Sequence, residues 1–238
     1  RSSDLKAASP LRTLCELSPN DVSLRRQLAA VLLSGEKPDG AAAVCEKILE
    51  QDPDDIGALV ILASARRRGG YPEEAKTYAQ RAKDLTPKAA EPRIALGHAH
   101  LAAGNADKAV EELQSAKPYV GPEDAANRAE ILDGMALALA RSGRLNDALS
   151  IYQTMQRDVP NHVDSRLNHA RVWLELGHMD KALAQVATPI NLEPGAIRPR
   201  VLAAEILLEQ NRLDDARAHL ERVLDTEPPI DLVCTLGA

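Results

Sequence analysis

The chain is built on a unit that cannot fold by itself. The stretch Ile56–Pro87 places Ile56, Leu59, Val60, Leu62 and Ala63 at helical spacing. Gly69 and Gly70 follow, residues that accept the left-handed backbone on which helices end. Pro72 then stands where a second helix would begin, a place where its missing N–H costs nothing. Ala75, Tyr78, Ala79 and Ala82 give that second helix one small apolar face, and Pro87 lies beyond its end. Such a helix pair is apolar on two sides and needs neighbours to bury both.

The neighbours are copies. With Ala75 as a marker, steps of thirty-four residues reach Ala41 and Ala7 backwards and Ala109 forwards. A step of thirty-nine reaches Ala148, and thirty-four again gives Ala182 and Ala216. Twelve residues after each marker stand Pro19, Pro53, Pro87, Gly121, Pro160, Pro194 and Pro228. Five before it come Gly70, Gly104, Gly143, Gly177 and Asn211, and Asn is the usual substitute for Gly in a left-handed position. Gly35 lies six before Ala41, which predicts a turn one residue longer in the first copy. Twelve before the full-copy markers the residue is always small: Ala29, Ala63, Gly97, Ala136, Ala170 and Ala204.

These columns resemble the tetratricopeptide repeat, a helix–turn–helix unit of thirty-four residues. The resemblance covers Leu5 to Pro228. It implies an all-α chain, a right-handed α-solenoid (superhelix) of stacked antiparallel helix-turn-helix units. The expected organisation is a leading half-repeat over 1–20, carrying only a second helix, then six full units over 21–228. Their approximate bounds are 22–55, 56–89, 90–121, 122–162, 163–196 and 197–228, and 229–238 is a C-terminal tail. The bulky aromatics of the family pattern are mostly absent. Four after the marker only Tyr152 is aromatic, and Trp173 takes a first-helix column where the family has tyrosine.

Hydrophobic residues make up 45% of the chain, but aromatics are 2% and there is no Phe, so close helix approach must replace bulk. With 29 basic and 35 acidic residues the net charge is −6, which argues against nucleic-acid binding. No apolar run is long enough to span a membrane, so no membrane insertion is expected. Cys15, Cys45 and Cys234 lack metal or disulfide spacing and read as reduced or buried thiols. That favours the cytoplasm. The chain opens on Arg1 without a signal-peptide pattern, and because it does not open on Met the periplasm stays open as well.

Several stretches depart from the frame. Pro10 breaks the first helix or marks its first turn. The half-repeat reads equally as an amino-terminal cap or as the continuation of repeats further upstream. A spacer, Lys117–Asp124, holds the five extra residues, and Pro122 with Glu123 and Asp124 predicts a helix from about Pro122 to Ser142. Thr188 and Pro189 fall inside a second helix, which should end near Ala187 or kink there. Leu213, Ala216, Leu220, Val223 and Leu224 form a stripe that the tail could cover.

No catalytic constellation is present, so the chain is read as no enzyme, with no cofactor and no metal site. His98 and His100 are two apart on one helix and face different sides. His169 takes a column that also holds Leu28, Leu62, Leu96 and Met135, which makes it a core residue. What remains is surface recognition. The resemblance implies a concave groove lined by first helices, and its partner-binding candidates are Arg26, Arg67, Arg68, His98, Asp133, Arg141, Asn168, Arg171 and Arg198. Glu91, Glu130, Asp164, Glu175, Glu205 and Glu209 share that wall. The groove would be basic toward one end and acidic toward the other, which would orient a bound segment. Arg66 falls in an inner column and should lay its stem along the core. The carboxylate clamp by which some relatives hold chaperone tails is not matched: of Arg26, Ala30, Ile61, Glu91 and Ala95 only Arg26 has the right character, and Asn168 and Arg198 match it in part.

Two functions fit. The first is a non-catalytic scaffold or adaptor that binds a protein or peptide segment in the groove and assists assembly of a larger complex. The alternative is a regulatory or substrate-presenting arm of a larger enzyme, such as a glycosyl- or sulfo-transferase, whose catalytic domain is absent from this chain. Self-association through the terminal repeats is a further possible partnership.

Overall fold

A computed structural model describes residues 2–18 and 21–225, with side chains from Ala8 onward. Among them thirteen α-helices follow one another without a strand. They are α1 (Ser2–Leu17), α2 (Val22–Ser34), α3 (Pro38–Gln51), α4 (Ile56–Arg68), α5 (Pro72–Leu85), α6 (Ala90–Ala102) and α7 (Ala106–Ala116). Then come α8 (Ala125–Arg141), α9 (Leu145–Asp158), α10 (Val163–Glu175), α11 (Met179–Leu192), α12 (Ile197–Glu209) and α13 (Leu213–Leu224). The fold class is the all-α solenoid of antiparallel helix-turn-helix units. Pro19, Pro228, Cys234, the tail from Pro229, and the side chains of Leu5 and Ala7 lie outside the described residues. No helix among the described residues is long and apolar enough to cross a membrane.

By packing, the chain divides into two units, Arg1–Ala138 and Leu139–Ala238. In the first, each helix from α1 to α6 packs on the next. In addition α2 touches α4 and α4 touches α6, whereas α3, α5 and α7 make no comparable contact with one another. First helices therefore stand closer together and line the inner wall of that unit. In the second unit α10 packs on α9 and α11, α12 packs on α11 and α13, and the first helices α10 and α12 also meet.

The turn inside each helix pair is the same object throughout. Tyr71 N–H donates to Arg66 O at 2.8 Å while Gly70 N–H donates to Arg67 O at 3.3 Å. This pair of hydrogen bonds satisfies the last carbonyls of α4 and needs a left-handed residue at its apex. Gly70, Gly104, Gly143 and Gly177 supply it with φ between +77° and +86°, and Asn211 supplies it with φ +59°. The first copy corrects the expected longer turn. Gly35 is not left-handed (φ −79°); Glu36 is, at φ +58°. Glu36 N–H donates to Leu33 O and Lys37 N–H to Leu32 O, so the turn has the common length. The left-handed column lies five before every full-copy marker.

The marker alanines make the first intrahelical bonds of their helices, as when Ala75 N–H reaches Tyr71 O at 3.1 Å. Ala41, Ala75, Ala109, Ala148, Ala182 and Ala216 are all buried. Opposite them the small column allows close approach. A Cβ on Gly97 would lie 2.6 Å from Leu113 Cγ, inside contact distance. Cys45 belongs to this core, and burial, with the Asp55 and Glu46 carboxylates, pushes its thiol up to about 12. Such a thiol is inert.

The second unit holds the aromatic part of the core. His169, 2% exposed, stacks between Tyr152 (centroids 5.3 Å) and Trp173 (5.8 Å). Lys181 Nζ sits 4.2 Å over the Trp173 ring, and Gln156 Nε2 lies 3.2 Å from His169 Nδ1.

Four expectations are corrected or refined. α1 runs through Pro10, and α11 runs through Pro189 to Leu192 instead of stopping near Ala187. Pro189 there is buried, so packing holds the helix where one backbone bond is missing. α8 begins at Ala125, not Pro122; Asp124 is its cap, accepting from Asn127 N–H at 3.1 Å. Arg66 does more than lay its stem along the core. It bridges Glu46 on α3 and Glu74 on α5 and reaches the Tyr71 ring.

Candidate functional site

On the inner wall of the first unit, charged residues from three successive first helices come together. Arg67 and Arg68 end α4, His98 is in α6, and Glu130 and Asp133 are in α8. Gly97 in α6 lets α7 close in from behind. Gly134 in α8 has no side chain because a Cβ there would lie 2.9 Å from His98 Cε1 and 2.8 Å from Leu113 Cδ1. The absent side chain seats the His98 ring, whose Nε2 lies 3.3 Å from Glu130 Oε1. That contact, joined by the charges of Arg67 and Arg68, holds the Glu130 carboxyl below its usual range despite its partial burial. Burial and the adjacent Arg68 push the Arg67 guanidinium down, and Glu130 opposes them. Arg68 is exposed and donates to Leu33 O at the end of α2, at 2.8 Å.

The wall continues to Arg26 on α2, whose Nη1 is 3.8 Å from Asp55 Oδ1, the cap of α4. Its stem crosses the space that Gly57 leaves open, where a Cβ would come within 2.8 Å of Arg26 Cδ. Glu91 is exposed at the start of α6. Glu130, grouped by sequence with the acidic half of the groove, stands within electrostatic reach of Arg67 and Arg68. In this unit the two signs interleave.

The remaining candidates are in the second unit. Arg141, at the end of α8, and Arg171 on α10 are exposed, and Asn168 on α10 is half-buried. Arg198 on α12 is held by Asp164 on α10, Nη1 to Oδ1 2.7 Å, so each neutralises the other. The sequence shortlist omitted Glu130. Its signal was present only as an acid on the first helix next to the one that carries His98. Among the described residues no three His, Cys, Asp or Glu side chains are grouped to hold a metal ion.

Fold and wall together define a class: a repeat protein of short helix pairs whose first helices present a polar inner surface. One tetratricopeptide-repeat family model matches residues 90–115 and 197–222, and a second matches 134–188. The chain carries tetratricopeptide repeats, the unit that this family shares. A curated relative, the TPR repeat-containing protein YpiA of Bacillus subtilis (strain 168), is 25% identical over 189 residues, which is 79% of this chain. The chain spans 44% of that relative's length. The crystal structure of a tetratricopeptide repeat protein from Parabacteroides merdae ATCC 43184 aligns with TM-score 0.74 at 16% identity, covering 99% of this chain and 91% of that one. A thermophilic protein of the same repeat type from Thermus thermophilus aligns with TM-score 0.70 at 22% identity, covering 77% of this chain and 97% of its own. At these identities the two structures speak to the fold alone.

Proposed function

We propose that this protein is a non-catalytic scaffold that binds an extended segment of a partner protein along its first helices and so assists assembly of a larger complex. The observation that carries the proposal is the convergence of Arg67, Arg68, His98 and Glu130 from α4, α6 and α8 onto one wall. A peptide laid across it meets cations and an acid within a few residues of each other. A ligand with a carboxylate beside a basic group is favoured in one direction only, and charge of this kind sets orientation and association rate more than affinity. Arg67 adds to this because its guanidinium is already partly desolvated, so pairing it with a ligand carboxylate costs less new desolvation. The Arg198–Asp164 pair makes α10 and α12 a weaker recognition surface, since the two charges already neutralise each other.

The test is capture from native extract with the wild type and with Arg67→Glu, Arg68→Glu together, followed by mapping the bound segment of each specific partner by cross-linking. The double variant is expected to lose the partner while its helical circular dichroism is unchanged. A partner that is still captured, or that cross-links outside α4, α6 and α8, removes these residues from the site.

A further inference from the structure

A column of arginines runs through the first helices, sixteen residues before the marker: Arg25, Arg93, Arg166 and Arg200. Three of them donate to the carbonyl of the proline six residues earlier. Arg93 reaches Pro87 O at 2.8 Å, Arg166 reaches Pro160 O at 2.6 Å, and Arg200 reaches Pro194 O at 2.8 Å. The rest of each guanidinium turns toward the second helix of its own pair. There Arg93 meets Ser115 at 3.0 Å and Glu112 at 4.0 Å. Arg166 meets the oxygen of Gln185 at 3.5 Å. Glu112 and Gln185 share one column, three after the marker, and Ser115 lies six after it.

In the last pair those columns hold His219 and Arg222. Both acceptors have been replaced by cationic or potentially cationic groups. Arg200 is only 4% exposed, yet apart from Pro194 O it has no acceptor among the described residues. Arg222 makes no ion pair among them, and its charge helps push both the Arg200 guanidinium and the His219 imidazole down, after burial. His219 Nδ1 is buried without a hydrogen-bond partner. These three side chains line one cleft between α11, α12 and α13, of about 550 Å³, together with Asn191, Arg212 and Asp215. Asp215 opposes the push on His219, but its carboxylate is already held by Arg212 at 2.6 and 2.8 Å, so it leaves Arg200 and Arg222 without an acidic partner of their own among the described residues.

We propose that this cleft is an anion site that takes a phosphate monoester. Two guanidiniums facing one space, one of them desolvated, match a dianion with several acceptor oxygens, and charge-assisted bonds of this kind are strong in partly buried surroundings. The cleft is larger than a phosphate, so the group can arrive attached to a peptide side chain or a small molecule. The site is separate from the wall proposed to bind a partner segment.

The test follows the His219 ring by NMR while the protein is titrated with inorganic phosphate against chloride at matched ionic strength. A saturable shift is expected. Arg222→Gln is expected to weaken binding about tenfold or more, the loss of one charge-assisted contact. A second variant, His219→Glu with Arg222→Ser, gives Arg200 the acceptors that Arg93 has. It is expected to abolish phosphate binding and to raise the melting temperature, a readout that does not depend on recognising the ligand. No saturable shift, or equal affinity in wild type and Arg222→Gln, overturns the proposal, and so does acetate binding as tightly as phosphate. Tighter binding of a phosphoserine peptide than of free phosphate assigns the group to a protein; equal or weaker binding assigns it to a small molecule.

Discussion

Four residues after the marker, the first unit buries Ala79 at 0% exposure and the second buries Tyr152 at 1%. One column of one repeat thus carries a methyl group in one place and a phenol in another. Around Ala79 the space is closed by helix approach: Ala63, Ala95 and Leu96 surround it, with Val60 and Tyr78 at the margin. Around Tyr152 the space is filled by rings, with His169 stacked on it and Trp173 stacked on His169. The backbone adapts to either, provided each repeat solves its own packing. The two solutions should fail differently. A core made of rings fails by cavity, and a core made of close helices fails by intrusion.

The largest effect is therefore expected at the ring. Tyr152→Ala removes a buried aromatic that His169 leans on, and large-to-small changes of this kind cost about 3–5 kcal/mol. Chemical denaturation of the two proteins measures it. A cost under about 1 kcal/mol would mean that α9 and α10 can collapse to the spacing of α5 and α6, which removes the distinction between the two cores.

The same ring stack carries a pH dependence. Burial first, and Arg166 second, push His169 down to about 4 from an ordinary value of 6.5. Between those values the unfolded chain binds a proton that the folded chain refuses. Stability contributed by the neutral ring is complete above pH 6.5 and falls as pH drops to about 4, a loss of about 3 kcal/mol. His169→Leu, the residue found in that column at Leu28, Leu62 and Leu96, should flatten this slope. The comparison is best made between pH 7 and 5, before most carboxylates titrate. His100 and His219 are also pushed down and leave a residual slope of the same sign. An unchanged slope in the variant would place the acid sensitivity elsewhere.

In the first unit the sensitive direction is the opposite one. Gly97→Ala adds a single carbon that would sit 2.6 Å from Leu113 Cγ, and Leu113 is fully buried with nowhere to go. Overpacking of this kind costs about 1–3 kcal/mol. Gly97→Ala with Leu113→Ala should be less destabilised than the sum of the two single changes, because the second variant opens the space that the first one needs. Strict additivity would show that the close approach of α6 and α7 is not what glycine provides.

Much of this fold was legible in the sequence because the repeat copies its constraints. A left-handed turn, a close helix contact and a helix stop each demand a restricted residue type, and each left a column of Gly, Asn, Ala or Pro. Pro10 and Pro189 signal a break that the helices do not make, because proline excludes one hydrogen bond while tertiary packing decides whether the helix survives it. His98 and Glu130 lie on different first helices with no fixed spacing between them. Their contact depends on how the helices stack, and no local pattern encodes that. The arginine column was in the sequence but invisible as a site. Its meaning depends on what faces it, and only the structure puts His219 and Arg222 where other repeats keep acceptors.

The smallest effect tests the turn register itself. Glu36 holds the left-handed position that glycine or asparagine holds in the other five full copies, at φ +58°. That backbone costs a residue with a Cβ roughly 1–2 kcal/mol, against roughly 0.5–1 kcal/mol of chain entropy that glycine loses on folding. Glu36→Gly is thus expected to stabilise the protein by about 0.5–1 kcal/mol, read as a rise in melting temperature. Gly35, at φ −79°, is in ordinary backbone, so Gly35→Ala should be neutral or slightly stabilising. The alternative register, with Gly35 left-handed in a longer turn, predicts the reverse pattern: Gly35→Ala destabilises and Glu36→Gly gains nothing. The pair of variants decides whether the first turn follows its residue types or the geometry shared by the other five.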